Sequence, residues 1–328
     1  MTGQIEVLIV GGGGIGSRHL QAIAASNKPL SITVVDPAEA SREVARQRFH
    51  EITAGAEHKL SLTATLDDAP REIDVCIVAT PAHVRRAVVE QLIAHAKVRY
   101  LILEKILFQT RGDYAAVARL LAEAGTKAWV NTPRRLWPQY GVMRDQIAGN
   151  GPVALHVVSG RRTALGTNSI HFLDTLDFLA GGDRQWTLRG DRLGRLEGGS
   201  RHTHAVEFQG CLYGFSDKGD VFSFTLHDDN TTHVLDISAK GYRWLVREAQ
   251  STALVASEAE GWAWREAEFP LVFQSRITGD VVADLLGKGD CALPTLAQSS
   301  SLHLAVLDAY FEALGLPQDA EDVQCPVT

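Results

Sequence analysis

Six residues near the N-terminus limit what this chain can become more than any other stretch. Gly11-Gly12-Gly13-Gly14-Ile15-Gly16 holds the spacing G-x-G-x-x-G at Gly11, Gly13 and Gly16. It begins directly after the apolar run Val7–Val10. It opens a segment with Ile15, Leu20, Ile23 and Ala24 at helical spacing. In such a strand–loop–helix the first glycine permits a tight turn. The second lets the backbone approach a pyrophosphate, and the third lets the helix pack close to the strand. The helix N-terminus then presents N–H groups and a positive dipole end to the anion. A second apolar run, Ser31–Val35, closes with Asp36, 20 residues beyond Gly16. A carboxylate at that distance accepts hydrogen bonds from ribose hydroxyls. Strand, loop, helix and acid in register predict a dinucleotide site held by Gly11, Gly13, Gly14, Ile15, Gly16 and Asp36. Asp36 repels a 2′-phosphate and so favours NAD, while Arg42 close by keeps NADP open. FAD accepts the same motif, but its usual architectures are longer than this chain.

The rest of the first 130 residues continues the alternation. Ala38–Phe49 reads as a helix, Lys59–Ala64 as a weak strand and Asp74–Ala79 as a strongly apolar strand. His83–His95 is a helix, Arg99–Leu103 a strand, Tyr114–Ala124 a helix and Lys127–Val130 a strand. Continuous apolar strands separated by helices predict a doubly wound parallel sheet covered on both faces. Beyond Val153–Arg161, a long strand, the pattern changes. Ala205–Phe208, Cys211–Phe215, Val221–Leu226 and Val234–Ser238 follow one another without intervening helices. Asp217-Lys218-Gly219 and Asp228-Asp229-Asn230 read as hairpin turns between them. This predicts an α/β chain with a Rossmann domain at 1–130. A second α/β domain at 131–328 then carries an open, mostly antiparallel sheet. The last helix, roughly Gln298–Leu314, is placed to pack back on the first domain. A length of 328 residues fits two domains at roughly 150 residues each.

Charge narrows the partners. With 32 Lys and Arg against 39 Asp and Glu, the net charge of -7 argues against a nucleic-acid binder or an electrostatic membrane binder. No apolar run reaches a membrane-spanning length, and no basic region precedes an apolar N-terminal stretch. Cys76, Cys211, Cys291 and Cys325 form no CxxC pair, so neither a zinc ribbon nor a dithiol redox site is signalled. Cys76 lies in an apolar run and reads as a core residue. A reducing cytoplasm is the expected compartment.

Six short pieces, taken in order, resemble the glucose-fructose oxidoreductase/inositol dehydrogenase (Gfo/Idh/MocA) family. They are the glycine loop with Asp36, then Ala79-Thr80-Pro81 after an apolar strand, then Glu104-Lys105. Asn131 with Arg134-Arg135, His171-x-x-Asp174 and Leu293-Pro294-Thr295 complete the series. The resemblance implies a nucleotide-binding domain followed by an α/β domain whose open sheet face joins subunits into a homodimer or homotetramer. It also implies an NAD(P)-dependent oxidoreductase acting on a sugar, sugar derivative or polyol. Thr80, Pro81 and Glu104 would then lie beside the cofactor, with Lys105 as the proton-transfer residue and His171 as a second candidate. Ile106 stands where the family has proline. Thr167 stands where many members have an aspartate four residues before the histidine, and Asn168 follows it. Neither can ionise as a base, so Thr167 and Asn168 are read as substrate hydrogen-bonding groups together with Asp174.

Arg134 and Arg135, with Arg85, Arg161 and Arg162, read either as solvated edges or as anion-binding groups. The second reading would favour a sugar acid or nucleotide sugar. His202 and His204 form an H-x-H that reads as exposed strand histidines rather than half of a metal site, and no metal is expected. Trp262 and Trp264 read as packing or interface residues sharing a strand face. Two other functions compete: a dinucleotide-binding sensor with little or no turnover, for which Thr167 speaks, and an imine or other reductase on the same fold.

Overall fold

The computed structural model describes residues 4–52, 55–196 and 205–327. The first half alternates strands and helices: β1 (Ile5–Val10), α1 (Gly16–Ala24), β2 (Leu30–Val35), α2 (Glu39–His50), β3 (Lys59–Thr63) and β4 (Glu72–Val78). Next come α3 (Ala82–His95), β5 (Lys97–Leu103), α4 (Arg111–Ala124) and β6 (Lys127–Val130). Beyond them lie α5 (Pro138–Ile147), β7 (Ala154–Ser159), α6 (Leu165–Leu179) and β8 (Trp186–Arg195). A run of strands follows: β9 (Phe208–Ser216), β10 (Val221–Leu226), β11 (Val234–Ala239), β12 (Tyr242–Arg247), β13 (Thr252–Ser257) and β14 (Arg265–Glu268). Helices α7 (Gln274–Lys288) and α8 (Leu296–Leu314) close the chain.

Two compact units emerge. The first comprises residues 1–108, 112–133 and 272–297, and the second 109–111, 134–271 and 298–328. The sequence assigns all of 131–328 to one domain, yet 272–297, with α7, groups with the first unit. Helix α8 beyond Ala297 groups with the second unit.

In the first unit six parallel strands run in the order β3-β2-β1-β4-β5-β6. The ends of β1, β4 and β5 are buried throughout, from Val7 to Val10, Val75 to Val78 and Tyr100 to Leu103. This is the continuous apolar signature of a strand covered on both faces. Cys76 is fully buried there, and burial pushes its thiol well above the usual range. The strand order reverses between β1 and β4, which opens a crevice at their carboxyl ends. Helix α7 packs on α1 so closely that a Cβ at Gly279 would stand 2.5 Å from the Ala22 carbonyl oxygen. The Leu293-Pro294-Thr295 segment lies along β6, where Val130 N donates to Pro294 O at 3.0 Å.

The second unit holds an eight-stranded sheet in the order β14-β13-β12-β11-β7-β10-β9-β8. Among the described residues of this sheet only β7 and β10 pair in parallel. Asp217-Lys218-Gly219 turns β9 into its antiparallel neighbour β10, as the sequence predicts. Asp228-Asp229-Asn230 does not make a hairpin. β10 and β11 flank β7 on opposite sides, so the connection crosses over it. Of Ala205–Phe208 only Phe208 is strand. Trp262 and Trp264 precede β14 rather than sharing a strand face, and Trp262 has a positive φ of 63°. With Arg243 and Ala256 they line a surface concavity. No helix among the described residues is long and apolar enough to cross a membrane.

Candidate functional site

The glycine loop divides by the demands on each residue. Gly11 has φ 99°, and a Cβ there would stand 2.9 Å from the Ala79 carbonyl oxygen at the end of β4. At Gly16 a Cβ would fall 1.8 Å from the Gly11 carbonyl oxygen, so the first turn of α1 closes against the end of β1 only without a side chain. These two glycines are required by the fold. Gly13 is different: its nearest neighbour would be Ser41 Oγ at 3.9 Å. Around Gly14 nothing lies within 4 Å, and Gly14 and Ile15 are exposed. The protein itself leaves these positions open, in the cradle where a pyrophosphate would meet the first N–H groups of α1.

Asp36 stands at the end of β2 with its carboxylate already aligned. Gly12 N donates to Oδ2 at 2.8 Å and Ala38 N to Oδ1 at 2.9 Å. A carboxylate accepts about four hydrogen bonds, so both oxygens retain capacity for ribose hydroxyls. Arg42 Nη1 donates to the main-chain oxygens of Asp36 and Pro37, at 2.6 and 3.0 Å. A guanidinium is thereby held beside the Asp36 carboxylate, where it would meet a 2′-phosphate. The residues present fit a dinucleotide.

The carboxyl ends of β4, β5 and β6 form the next part. Val78, Leu103 and Val130 pair across the three strands. Thr80, Lys105 and Thr132 each follow that row by two residues. Lys105 is half-buried, and the Lys105–Ile106 peptide is cis. The hydroxyls of Thr80 and Thr132 are buried with no hydrogen-bond partner among the described residues. Glu104 is buried at the centre of a polar cluster. His19 Nε2 stands 2.9 Å from its Oε1, and Asn131 Nδ2 donates to the same oxygen at 2.5 Å. His19 Nδ1 meets Thr278 Oγ1 at 2.7 Å, and Asn131 also donates to Gln274 Oε1 at 3.0 Å. Burial opposes ionisation of Glu104. The His19 hydrogen bond and charge, the Lys105 charge and the Asn131 hydrogen bond outweigh it and hold the carboxyl below its usual value. The glycine-loop helix α1, the Glu104-Lys105 strand end and α7 are therefore fixed to one another.

In the second unit Thr167, Asn168 and His171 share a half-exposed face of α6, at spacings of one, three and four residues. The His171-x-x-Asp174 pair lies in the second and third turns of the helix, not at its start. Asp174 is fully buried and takes two hydrogen bonds from Arg135, Nη2 to Oδ1 at 2.6 Å and Nε to Oδ2 at 3.0 Å. Arg134 grips buried Glu248 in the same two-pronged way, both contacts at 2.8 Å. Tyr140 and His233 add contacts of 2.6 and 2.7 Å. Burial opposes the Glu248 charge, but Arg134 and His233 hold its carboxyl far below the usual range. Both arginines read in the sequence as solvated or anion-binding therefore face buried carboxylates of their own unit. Arg161 pairs with Asp228 and Arg162 is exposed. Arg85 is neither a solvated edge nor an exposed anion-binding group: it is buried against three main-chain carbonyls.

Sequence reasoning missed several groups. Glu207 accepts the Thr167 N–H at 3.1 Å, placing a carboxylate at the positive end of α6. His19, Gln274 and Thr278 around Glu104 were not singled out either. The only signal was polar residues on otherwise apolar helix faces. His202 and His204 lie outside the described residues. Among the described residues no three or more His, Cys, Asp or Glu cluster in a way that could hold a metal ion.

Residues 5–132 match the Gfo/Idh/MocA model, an oxidoreductase family with an NAD-binding Rossmann fold. No curated protein sequence matches the chain significantly. Solved structures resemble it over nearly its whole length. An oxidoreductase from Agrobacterium radiobacter, in complex with NAD+, L-tartaric acid and magnesium, is 15% identical with a TM-score of 0.72, covering 95% of this chain and 97% of that one. The UDP-N-acetylglucosamine 3-dehydrogenase GnnA from Acidithiobacillus ferrooxidans is 15% identical with a TM-score of 0.69, covering 96% and 99%. A super-repressor mutant of Gal80p from Saccharomyces cerevisiae is 15% identical with a TM-score of 0.70, covering 95% and 96%. At these identities the likeness concerns the fold. Over residues 5–132 the chain is thus similar to the Gfo/Idh/MocA oxidoreductase family, with its NAD-binding Rossmann fold.

Proposed function

We propose that the chain is an NAD(P)-dependent oxidoreductase that moves hydride between the nicotinamide and a carbon of a sugar, sugar derivative or polyol. The observation that carries this reading is the pairing of a glycine cradle left open at Gly13 and Gly14 with a lysine at the carboxyl end of β5. The cofactor, when bound, supplies the hydride acceptor or donor. Gly11, Gly13, Gly14, Ile15 and Gly16 would hold its pyrophosphate and Asp36 its ribose. Thr80, Pro81 and Glu104 would flank the nicotinamide half. Asp36 favours NAD, and the Arg42 guanidinium beside it allows NADP as well.

Lys105 carries the proton transfer that must accompany hydride movement at an alcohol carbon. It is half-buried beside the ionised Glu104, where its amine can give or take the hydroxyl proton at Nζ. His171 is the second candidate for that role. Thr167 and Asn168, on the same helix face as His171, are suited to hydrogen-bonding substrate hydroxyls. Arg134, Arg135 and Asp174 act on the substrate through the shape of the second unit, since each is already engaged in a buried ion pair. A homo-oligomer and a cytoplasmic location complete the proposal. Exposed Val158 and Phe215 on the eight-stranded sheet support a subunit interface there.

Mass spectrometry of the native purified protein tests the first half, since a retained dinucleotide is expected. Turnover of a sugar and polyol panel with NAD+ and NADP+ tests the second. Lys105→Ala should lower kcat by about 100-fold or more, in line with loss of a positioned acid–base group. A confirmed activity that survives this change refutes the role of Lys105. A second reading, a dinucleotide-binding sensor without turnover, draws on Thr167 standing where a carboxylate is expected and on the fold shared with Gal80p. Tight cofactor binding with no turnover across the panel would select it.

A further inference from the structure

We propose that Arg85 is a positioning residue that locks the Thr80-Pro81 turn and the loop carrying Lys105 into one rigid frame. Arg85 lies in the first turn of α3 and is 2% exposed. Its Nη2 donates to the main-chain oxygen of Thr80. Its Nη1 donates to those of Ile106 and Leu107, the latter at 2.8 Å. One planar fork thus joins the loop after β4 to the loop after β5. The first carries the Thr80-Pro81 turn and the second begins at Lys105. A guanidinium suits this task because its donors are fixed in one plane, which a flexible ammonium cannot reproduce.

The charge makes a purely space-filling role a poor explanation. Among the described residues no carboxylate is a hydrogen-bond partner of Arg85, and its Nε has no partner at all. Burial pulls its pKa down to about 10, against which the charges of Glu104 and Tyr114 act. An apolar side chain would fill the same volume without that desolvation cost. What an apolar side chain could not do is hold three carbonyls of two separate loops. Ile106, whose carbonyl Arg85 holds, directly follows Lys105, so the fork fixes the main chain from which the Lys105 amine projects.

The proposal rests on the reading of Lys105 as the proton-transfer group, and its test separates the two. Arg85→Lys and Arg85→Gln are prepared in the full chain. Acetylation of Lys105 by acetic anhydride is followed against pH without cofactor, by peptide mass spectrometry, with exposed Lys288 as internal reference. ADP-ribose binding is measured by calorimetry, and kcat and KM with whichever substrate the wild type turns over. A positioning role predicts that both variants melt cooperatively and bind ADP-ribose within about threefold of wild type. The Lys105 acetylation profile should shift by roughly half a pH unit or more against Lys288. The kcat should fall about 30-fold or more with a smaller change in KM, and Arg85→Lys should lie between wild type and Arg85→Gln. The proposal is overturned by an unshifted acetylation profile, or by a kcat within about threefold of wild type in either variant. Parallel loss of melting temperature and ADP-ribose binding in both variants would mark Arg85 as merely structural and overturn it too. If the wild type turns over no substrate, the functional reading fails alone, and the acetylation profile still decides for or against Arg85.

Discussion

Two glycines three residues apart allow the cofactor cradle to be separated from the fold. In Gly16→Ala the new Cβ would fall 1.8 Å from the Gly11 carbonyl oxygen and 2.9 Å from its carbon. Ordinary contact needs more than 3 Å, so the first turn of α1 must move from the end of β1 by over about 1 Å. Both partners are backbone, so no rotamer change relieves the clash. Overpacking of this kind costs roughly 1–3 kcal/mol or more, and a melting temperature lower by several degrees is expected. In Gly13→Ala the nearest atom is Ser41 Oγ at 3.9 Å, an ordinary contact, and φ lies outside the positive region. Stability should change by less than about 1 kcal/mol, with a gain expected because the unfolded chain loses freedom. The same methyl would stand where the backbone must approach the pyrophosphate. Applied to the ligand, the same overpacking range predicts a loss of about 5- to 150-fold in NAD+ affinity. Thermal melts and calorimetric titration with NAD+ and NADP+ check both halves. Gly13→Ala binding NAD+ within twofold of wild type would place the phosphates elsewhere. Gly16→Ala melting like wild type would refute the steric argument.

Arg135→Ala removes the paired charge and both Arg135 hydrogen bonds from the fully buried Asp174 carboxylate and should destabilise the protein by about 3–5 kcal/mol, read by chemical denaturation. Asp177 reports on pH: burial, with the neighbouring Asp174 charge, raises its pKa to about 6 against the Trp186 hydrogen bond. A carboxyl raised in the folded state costs stability where it is ionised, so this penalty is full above pH 7 and disappears as pH falls towards 3.8. The full penalty is about 3 kcal/mol, of which about 1.4 kcal/mol lies between pH 7.5 and 5. Asp177→Asn should be more stable than wild type at pH 7.5 and lose that advantage progressively towards pH 5; a pH-independent difference refutes it. Asp36→Ala should weaken NAD+ binding and shift relative affinity towards NADP+ by about tenfold, because the repulsion is removed while Arg42 remains. Equal loss for both nucleotides would contradict the assignment of Asp36 to the ribose.

What could be read from the sequence was what neighbouring residues decide together. The glycine loop, the strand–helix alternation up to Val130 and the run of successive strands between Ala205 and Ser238 each follow from residues within a dozen positions. The parallel and mostly antiparallel sheets are where those patterns put them. The crossover at Asp228-Asp229-Asn230 could not be read this way. A polar turn says that the chain reverses, while the strand it returns beside is decided by β7, about 70 residues earlier. The same limit governs the charged residues. Arg85, Arg134 and Arg135 are alike in sequence as arginines following apolar segments. One meets three carbonyls, one meets Glu248 and one meets Asp174. A guanidinium carries the same donors wherever it lies, so its role belongs to the acceptor that tertiary packing brings to it. Glu104 shows the converse, since its partners His19 and Asn131 come from α1 and the end of β6 and are themselves held by Thr278 and Gln274 of α7. A local motif therefore identifies where chemistry can occur, and the distant acceptors and donors decide which of its charges remain available to a ligand.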